Sequence, residues 1–215
     1  MERYEKYKDS GIAWLGEIPE HWEVKKLKYV APPVLGKMLT NSDKGDFHKR
    51  KYLRAANIEW MTVNITDIKE MWFSTEELEK LRLKENDLLI SEGGEVGRTC
   101  IWKNELEECY IQNSVHKITF RDQGNSIYFL NQFYAMGYKG YFDSIVNKIS
   151  IAHLTVEKLK AIEIVFPPIE EQKAIAAYLD QKTAEIDELI SQKQRLIELY
   201  AVSYTHLTLP TKRIV

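Results

Sequence analysis

The feature that most limits the fold is a long run without helix breakers, which follows a double proline near the end of the chain. Pro167 and Pro168 cannot donate backbone hydrogen bonds, so they end the preceding segment. Proline is tolerated in a first helical turn, and the acidic pair Glu170–Glu171 suits the positive end of a helix dipole. The next thirty or so residues, at 1.5 Å each, predict a helix about 45 Å long. That is longer than a small domain is wide.

Apolar residues recur along this predicted helix with coiled-coil spacing. Leu179 and Ile186 are seven residues apart, and so are Leu189 and Leu196. The stripe is narrow, polar residues interrupt it, and charged residues cover the rest of the helix, which favours pairing with another helix. A long amphipathic helix packed on its own domain is the alternative. The residues predicted to pair are Ile175, Leu179, Ile186, Leu189, Ile190, Leu196 and Ile197.

The composition is that of a globular chain with one or two domains: 215 residues, of which 44% are hydrophobic and 29% charged. No apolar run approaches the length of a membrane span, and the charged amino-terminal segment is not a secretory signal. We therefore expect a cytoplasmic protein without a membrane partner. Cys100 and Cys109 lack a His/Cys cluster, so two buried free thiols are favoured over a disulfide.

Charge is unevenly distributed although the net charge is only −2. Residues 25–54 contain nine Lys/Arg and two Asp/Glu, whereas residues 55–110 contain six basic and thirteen acidic residues. A local basic excess of this size can attract phosphate even in a nearly neutral chain. A solvated basic surface without a partner explains the charge alone equally well.

Short elements with mixed periodicity precede the long helix. Turn residues and aromatics suggest a short ordered arm over residues 1–30, and residues 36–50 read as a polar, basic loop. The strands are predicted at residues 51–58, 87–91, 99–102, 115–120 and 162–166. The helices are predicted at 75–83, with Thr75 as the cap, and at 126–137 and 155–159. The fold class is therefore α+β, a compact mixed α/β domain followed by a long coiled-coil-type helix.

Catalytic signatures are missing from the sequence. The segment SEGGEVGRT, residues 91–99, fits neither a dinucleotide turn nor a phosphate loop, so its glycines predict a tight turn or a close backbone approach. The Phe-Pro-Pro-Ile run at 166–169 lacks the polar and aromatic outer residues of an amino-methyltransferase motif. The histidines show no metal-ligand spacing, and no nucleophile elbow is present. We expect no catalytic residue and no metal site in this chain.

Nucleic-acid binding is the more specific interpretation of the basic segment. Lys and Arg neutralise phosphates, and Asn, Gln and Arg read base edges with paired hydrogen bonds. Each of these residues taken singly is more often an ordinary surface or turn residue. The candidate phosphate contacts are Lys37, Lys44, Lys49, Arg50, Lys51 and Arg54. The candidate base readers are Asn57, Arg98, Gln112, Asn113 and Asn147.

Several segments together resemble the specificity subunit of type I restriction–modification enzymes. They are YKDSGIAWLGEIPEHWEVKKLKYV (7–30), LKENDLLISEGGEVGRTCIW (83–102), IQNSVHKI (111–118) and the junction with the long helix (149–199). The Pro-Pro-x-x-Glu-Gln junction is specific, whereas the glycine turn alone would be a weak signal. The resemblance covers nearly all of residues 4–200.

The resemblance implies a non-catalytic DNA-reading subunit. Such a subunit usually carries two recognition domains that each read half of a split site, separated by paired antiparallel helices. It implies residues 1–168 as the target recognition domain and 169–200 as the spacer helix. The implied partners are double-stranded DNA, methyltransferase subunits, a restriction/translocase subunit and a second recognition half or a second copy. S-adenosylmethionine, ATP and magnesium belong to the partner subunits, with no cofactor in this chain.

Two alternatives stay open at this point. The chain is either a truncated fragment or a half-subunit that dimerises. Residues 202–211 resemble a translated read-through of a sequencing-library adaptor, which predicts 201–215 as a non-native tail and favours the fragment; a genuine β-prone tail is the alternative. The functional alternative is a protein–protein interaction module, in which the helix binds a partner and the basic loop is incidental.

Overall fold

The computed structural model describes residues 4–146 and 153–207, with side chains described up to Val202. The chain divides between Lys173 and Ala174 into two compact units. The predicted α+β class with a long C-terminal helix is confirmed. Within the described ranges, no helix combines the length and the apolar character that a membrane span needs.

The first unit consists of short strands and short helices. Its strands are β1 (Tyr7–Asp9), β2 (Glu17–Pro19), β3 (Glu23–Lys26), β4 (Val34–Leu35), β5 (His48–Leu53), β6 (Lys69–Phe73), β7 (Leu88–Ser91), β8 (Thr99–Ile101), β9 (Tyr110–Ile111), β10 (Val115–Ile118) and β11 (Glu163–Phe166). Its helices are α1 (Leu27–Val30), α2 (Thr75–Leu81), α3 (Ser126–Tyr138), α4 (Tyr141–Ile145) and α5 (Val156–Ala161), and a 3-10 turn covers Ala55–Asn57.

Four small sheets organise these strands. One has the order β4-β10-β7-β8 with antiparallel neighbours, and another has the order β6-β5-β9, in which β5 and β9 run parallel. Strand β3 pairs with β11, which joins the start of the unit to its end. Strands β1 and β2 pair with each other within the segment 1–30 that the sequence suggested as an arm.

One hydrophobic cluster joins the two larger sheets. Its buried members include Phe73 from β6, Leu89 from β7, Trp102 after β8 and Tyr110 from β9. Cys100 and Cys109 also lie in this cluster as buried free thiols, as predicted. Burial raises the pKa of Cys109 to about 12, so both packing and chemistry mark it as a core residue rather than a reactive one.

Helix α2 begins at Thr75 as predicted but ends at Leu81 rather than at residue 83, and its cap lies one residue earlier than the sequence suggested. Ser74, rather than Thr75, is the N-cap: its Oγ accepts a hydrogen bond from Glu77 N, and the Glu77 carboxylate accepts one from Ser74 N. This reciprocal pair satisfies two backbone donors that a helix start leaves free. Thr155 is the N-cap of α5, where its side chain accepts a hydrogen bond from Lys158 N. Threonine is one of the residues preferred at this position.

The predicted strand at 51–58 is partly wrong. Strand β5 occupies His48–Leu53, so it begins inside the predicted loop, and the chain then forms the 3-10 turn. Strands β4, β6 and β9 and helix α4 were not predicted. Two-residue strands such as β4 and β9 carry too few residues to show an alternating pattern.

Helix α6 spans Ile169–Leu207 and therefore continues past the predicted end at residue 200. No proline or glycine interrupts the sequence before Pro210, so nothing in the local chemistry ends the helix earlier. Residues 208–215, the rest of the predicted non-native tail, lie outside the described residues.

Candidate nucleic-acid interface

Strand β5 carries much of the predicted phosphate-binding charge. Lys49 and Lys51 are exposed, whereas Tyr52 and Leu53 at the end of the same strand are buried. Lys49 Nζ lies 3.2 Å from Glu70 Oε2 on strand β6. Exposed pairs of this kind contribute only about 0–1 kcal/mol to stability. Lys49 can therefore exchange its carboxylate partner for a phosphate at little cost.

The remaining basic candidates differ in how freely they can move. Arg50 Nε lies 3.1 Å from Glu108 Oε2, and Arg54 pairs with Asp67 through one guanidinium nitrogen. A hydrogen bond from Tyr110 lowers the pKa of Glu108. Partial burial acts in the opposite direction, and the nearby Arg50 guanidinium lowers this pKa further. Among the residues that the structure describes, Lys44 and Lys51 have no ion-pair partner.

Three chain segments that are distant in sequence meet at the end of this strand. Gln112 N donates a 2.9 Å hydrogen bond to Leu53 O, and Asn113 N donates a 2.8 Å hydrogen bond to Lys37 O. The Ser114 hydroxyl accepts a hydrogen bond from Ala55 N at 3.0 Å and donates one to Gln112 Oε1 at 3.1 Å. The loop at 112–114 thus forms the centre of this assembly.

Arg98 joins the same assembly from the glycine turn. Its Nη2 donates a 3.2 Å hydrogen bond to Ala55 O, while its Nε is buried without a partner in the described part of the chain. The turn before it uses glycine at a left-handed position: Gly97 has φ +83°, and an added Cβ there would meet the Phe142 ring at 2.4 Å. The glycines therefore permit a tight turn, one of the two roles that the sequence suggested.

Gly36 permits the closest backbone approach at this site. A Cβ added to Gly36 would lie 2.3 Å from Gln112 O and 2.4 Å from Ile111 O. Only a residue without a side chain can occupy this position while Lys37 N donates its 3.1 Å hydrogen bond to Ile111 O. The sequence contained this residue at the edge of the predicted loop, but nothing in its neighbourhood signalled the contact.

Gln112 and Asn113 retain free side-chain hydrogen-bonding groups. Both residues are half-buried. Within the described part of the chain, the Asn113 carboxamide makes no hydrogen bond, and the Gln112 amide nitrogen donates none. A carboxamide offers one donor and one acceptor side by side, the arrangement that matches an adenine edge. The structure thus brings Gln112, Asn113 and Arg98 together.

Two predicted DNA contacts are used inside the domain instead. Asn57 is 2% exposed, its Oδ1 accepts from Arg54 N, and its Nδ2 donates to Asn64 O and Asp67 O. Its carboxamide is therefore committed to holding the 3-10 turn, which corrects the prediction that it reads bases.

Lys37 is the second correction. Its side chain is 10% exposed and pairs with Glu77. Partial burial opposes ionisation of Glu77, yet this pair and the hydrogen bond from Ser74 N lower the pKa of Glu77. Separating the two ions would leave a largely buried ammonium without a partner, so Lys37 is poorly placed to contact a phosphate. Asn147 lies outside the described residues.

The acidic residue of the proline junction binds the amino-terminal arm. The Glu171 carboxylate accepts hydrogen bonds from Tyr4 Oη at 2.7 Å and Trp22 Nε1 at 2.8 Å, and it lies 2.7 Å from His21 Nε2. Partial burial by itself would raise the pKa of Glu171, but these hydrogen bonds outweigh it and lower that pKa. The hydrogen bond to Glu171 raises the pKa of Tyr4 to about 12. Sequence reasoning assigned Glu171 only to the helix dipole and missed these partners.

Gln172, the next residue, is fully buried and holds a different segment. Its Oε1 accepts from Asn125 N at 2.9 Å, and its Nε2 donates to Gln123 O at 3.1 Å and Pro167 O at 2.8 Å. The loop between β10 and α3 is therefore fastened to the start of α6. In the Glu-Gln pair of the junction motif, Glu171 thus binds the amino-terminal arm and Gln172 binds the loop before α3.

The second unit exposes most of the predicted pairing stripe. The exposed fractions are 56% for Ile186, 53% for Leu189, 49% for Ile190, 46% for Leu196 and 66% for Ile197. Ile175 and Leu179, nearer the start of the helix, are half-buried. Contiguous exposed apolar residues on one helix are typical of an interaction surface. In the described ranges, no group of three His, Cys, Asp or Glu side chains could hold a metal ion.

Comparison with known proteins identifies the class to which this arrangement belongs. Residues 19–199 match the type I restriction modification DNA specificity domain. The chain belongs to this family. The family is named for DNA specificity, in agreement with the expectation of a recognition component rather than an enzyme.

Individual relatives carry the same description. The chain is 28% identical over 198 residues to a type I restriction enzyme MjaX specificity subunit of Methanocaldococcus jannaschii, covering 86% of this chain and 44% of that protein. It is 33% identical over 124 residues to the specificity subunit S.HindORF215P of Haemophilus influenzae, covering 54% of this chain and 31% of that protein.

Solved structures share the fold. A chain from a type I R-M system, studied for complex assembly and conformational transition, aligns with a TM-score of 0.63 at 20% identity and covers 91% of this chain and 46% of that chain. The HsdS subunit of Thermoanaerobacter tengcongensis aligns with a TM-score of 0.55 at 18% identity, covering 85% and 41%. The chain spans less than half the length of these relatives.

Proposed function

We propose that this chain reads one half of a split DNA target for a type I restriction–modification enzyme. The observation that carries the proposal is the meeting of Arg98, Gln112 and Asn113 beside the exposed lysines of β5. Phosphate contacts position a protein on DNA, and base contacts specify sequence. The site offers both kinds of group on neighbouring elements, with Lys49 and Lys51 as phosphate contacts.

Salt-dependent binding tests this proposal. The full specificity subunit, prepared with its methyltransferase subunits, is titrated with a duplex that carries the methylated sequence of the host genome. Each phosphate contact contributes about 0.9 to the slope of log K against log salt. The Lys49→Gln, Lys51→Gln double variant should therefore lower the magnitude of the slope by about 2. Lys139→Gln, a matched exposed lysine at the end of α3, should leave the slope unchanged.

The base-reading part has a separate expected result. Asn113→Ala should relax discrimination at one base pair, worth about 1–3 kcal/mol, without changing the salt slope. If the full complex bound all duplexes equally, or if the Lys49→Gln, Lys51→Gln double variant kept wild-type affinity and slope while folded, the protein–protein interaction module would be the better interpretation.

The exposed stripe of α6 supports a second part of the proposal. We propose that it pairs with an antiparallel helix, supplied by a second recognition half or by a second copy, and that the pair separates two recognition domains. The Leu189→Lys, Leu196→Lys double variant should prevent this pairing. Light scattering of the purified protein measures the mass, and Ser191→Lys is the control because Ser191 lies on the same helix but off the apolar stripe. An unchanged mass in a multimeric sample would contradict helix pairing.

The remaining partners are proposed from the family. Methyltransferase subunits and a restriction/translocase subunit would bind S-adenosylmethionine, ATP and magnesium, and this chain would bind no cofactor itself. The assembled enzyme would act on DNA in the cytoplasm.

A further inference from the structure

Two consecutive apolar side chains project from the loop between β4 and β5. Met38 is 74% exposed and Leu39 is 49% exposed. Single exposed apolar residues are common and need no explanation. An adjacent pair is more informative when the backbone forces both side chains into solvent. We refer to Met38 and Leu39 as the apolar tip.

The residues on either side of the apolar tip are fixed. Before it, Lys37 N donates to Ile111 O at 3.1 Å and Lys37 O accepts from Asn113 N at 2.8 Å. After it, Thr40 O accepts from Trp72 N at 3.0 Å, and Thr40 is only 9% exposed. The Thr40 hydroxyl also donates to Met38 O at 3.2 Å, which closes the turn. Moving the backbone of the apolar tip would therefore break one or more of these bonds.

The fixed ends place the apolar tip between the two parts of the proposed DNA site. Lys37, the residue before the apolar tip, is hydrogen-bonded to Asn113, a candidate base reader. Thr40, the residue after the apolar tip, is hydrogen-bonded to Trp72, which lies opposite Lys49 in the β5–β6 register. The acidic Asp43 nearby is turned into its own loop, where its Oδ1 accepts from Gly45 N and Phe47 N.

We propose that the apolar tip inserts between base pairs of the bound duplex as a wedge, which deepens the proposed function and rests on it. Methionine and leucine are side chains that unstack a base step when inserted, and a phosphate-binding surface beside them holds the duplex in place. Polar groups on both sides make DNA a better occupant than an apolar protein surface. Because hydrogen bonds already hold the turn in one conformation, insertion loses less conformational entropy than it would from a flexible loop. The protein would then discriminate between DNA sequences partly by how easily the base-pair step at the insertion point deforms.

The test uses the complete specificity subunit with its methyltransferase subunits. The probes are duplexes of its methylation sequence in which 2-aminopurine replaces one base at a time across the half-site, and one duplex with a dye pair at its ends. The variants are Met38→Ser, Leu39→Ser together, the conservative swap Met38→Leu, Leu39→Met, and Ile65→Ser as an exposed apolar control. Thermal unfolding verifies that each variant is folded.

The wild-type complex should raise 2-aminopurine fluorescence severalfold at one step and shorten the end-to-end distance. The serine double variant should lose both signals, and its target affinity should fall about tenfold. The swap and the control should keep them. A wild-type complex that binds its target without unstacking any step, or a serine variant that unstacks like wild type, overturns the wedge and leaves the proposed function standing. Failure of the wild-type complex to bind its target overturns both.

Discussion

Gly36→Ala tests whether the candidate interface depends on one close backbone contact. The added Cβ would lie 2.3 Å from Gln112 O and 2.4 Å from Ile111 O, well inside any normal contact distance. Both neighbours are backbone atoms in or beside strands, so they cannot rotate away as a side chain would. Either the segment at 36–37 moves outward or the loop at 111–113 does.

The size of the effect follows from the contacts that such a movement breaks. Overpacking a tight contact costs about 1–3 kcal/mol. The hydrogen bonds Lys37 N to Ile111 O and Asn113 N to Lys37 O contribute about 1 kcal/mol each when made. We expect Gly36→Ala to lower the free energy of unfolding by about 2–4 kcal/mol.

Urea denaturation followed by tryptophan fluorescence measures this change. Gly93→Ala is the matched control, because its added Cβ would approach only the His153 ring, at 3.8 Å, and its backbone has no positive φ. The control should stay within about 0.5 kcal/mol of wild type. Gly36→Ala with the same midpoint and slope as Gly93→Ala would refute the close-approach argument.

Two further predictions concern buried or shared charges in the first unit. Glu171→Gln should lower the free energy of unfolding by about 1–2 kcal/mol at neutral pH, because hydrogen bonds to a charged group are stronger. The pKa of Glu171 is lowered in the folded state, so this difference from wild type should be complete above the unfolded pKa and disappear as the pH falls through the folded one. Thermal melts of both proteins across acidic pH check it, and a difference independent of pH would contradict it. Lys117→Met should cost about 3–5 kcal/mol, because Lys117 Nζ donates to Lys80 O and Arg82 O and lies 4.0 Å from the buried Asp87 carboxylate. Denaturant titration measures this loss, with Lys84→Met as the exposed control, and equal midpoints would argue against the buried network.

The elements predicted from sequence were those with a strong local signal. The apolar run before the glycine turn became β7, and the long segment without helix breakers became α6. Strand β6 was missed because its sequence, KEMWF, begins with two charged residues and has no clear alternation. The 3-10 turn at Ala55–Asn57 was missed because it is stabilised by the Asn57 side chain and by Ser114, fifty-nine residues after Ala55.

The candidate site was predictable in residue type but not in geometry. The basic excess of residues 25–54 directed attention to β5, where Lys49 and Lys51 are exposed. The sequence could not indicate that Glu77, forty residues after Lys37, would bind that lysine. In sequence, a carboxamide that holds a turn looks the same as one that makes no hydrogen bond within the described residues, so Asn57 and Asn113 could be separated only by their hydrogen bonds.

The loop at 112–114 is positioned largely through its main chain. Gln112 N bonds to Leu53 O, Asn113 N bonds to Lys37 O, and Gln112 O lies against Gly36. Because the main-chain bonds do not depend on which side chains residues 112 and 113 carry, those two positions can be exchanged without dismantling the frame that presents them. A library randomised at these two codons should therefore yield mostly folded proteins that differ in the sequence they bind. In this frame, the side chains proposed to contact bases are separable from the main-chain bonds that position them.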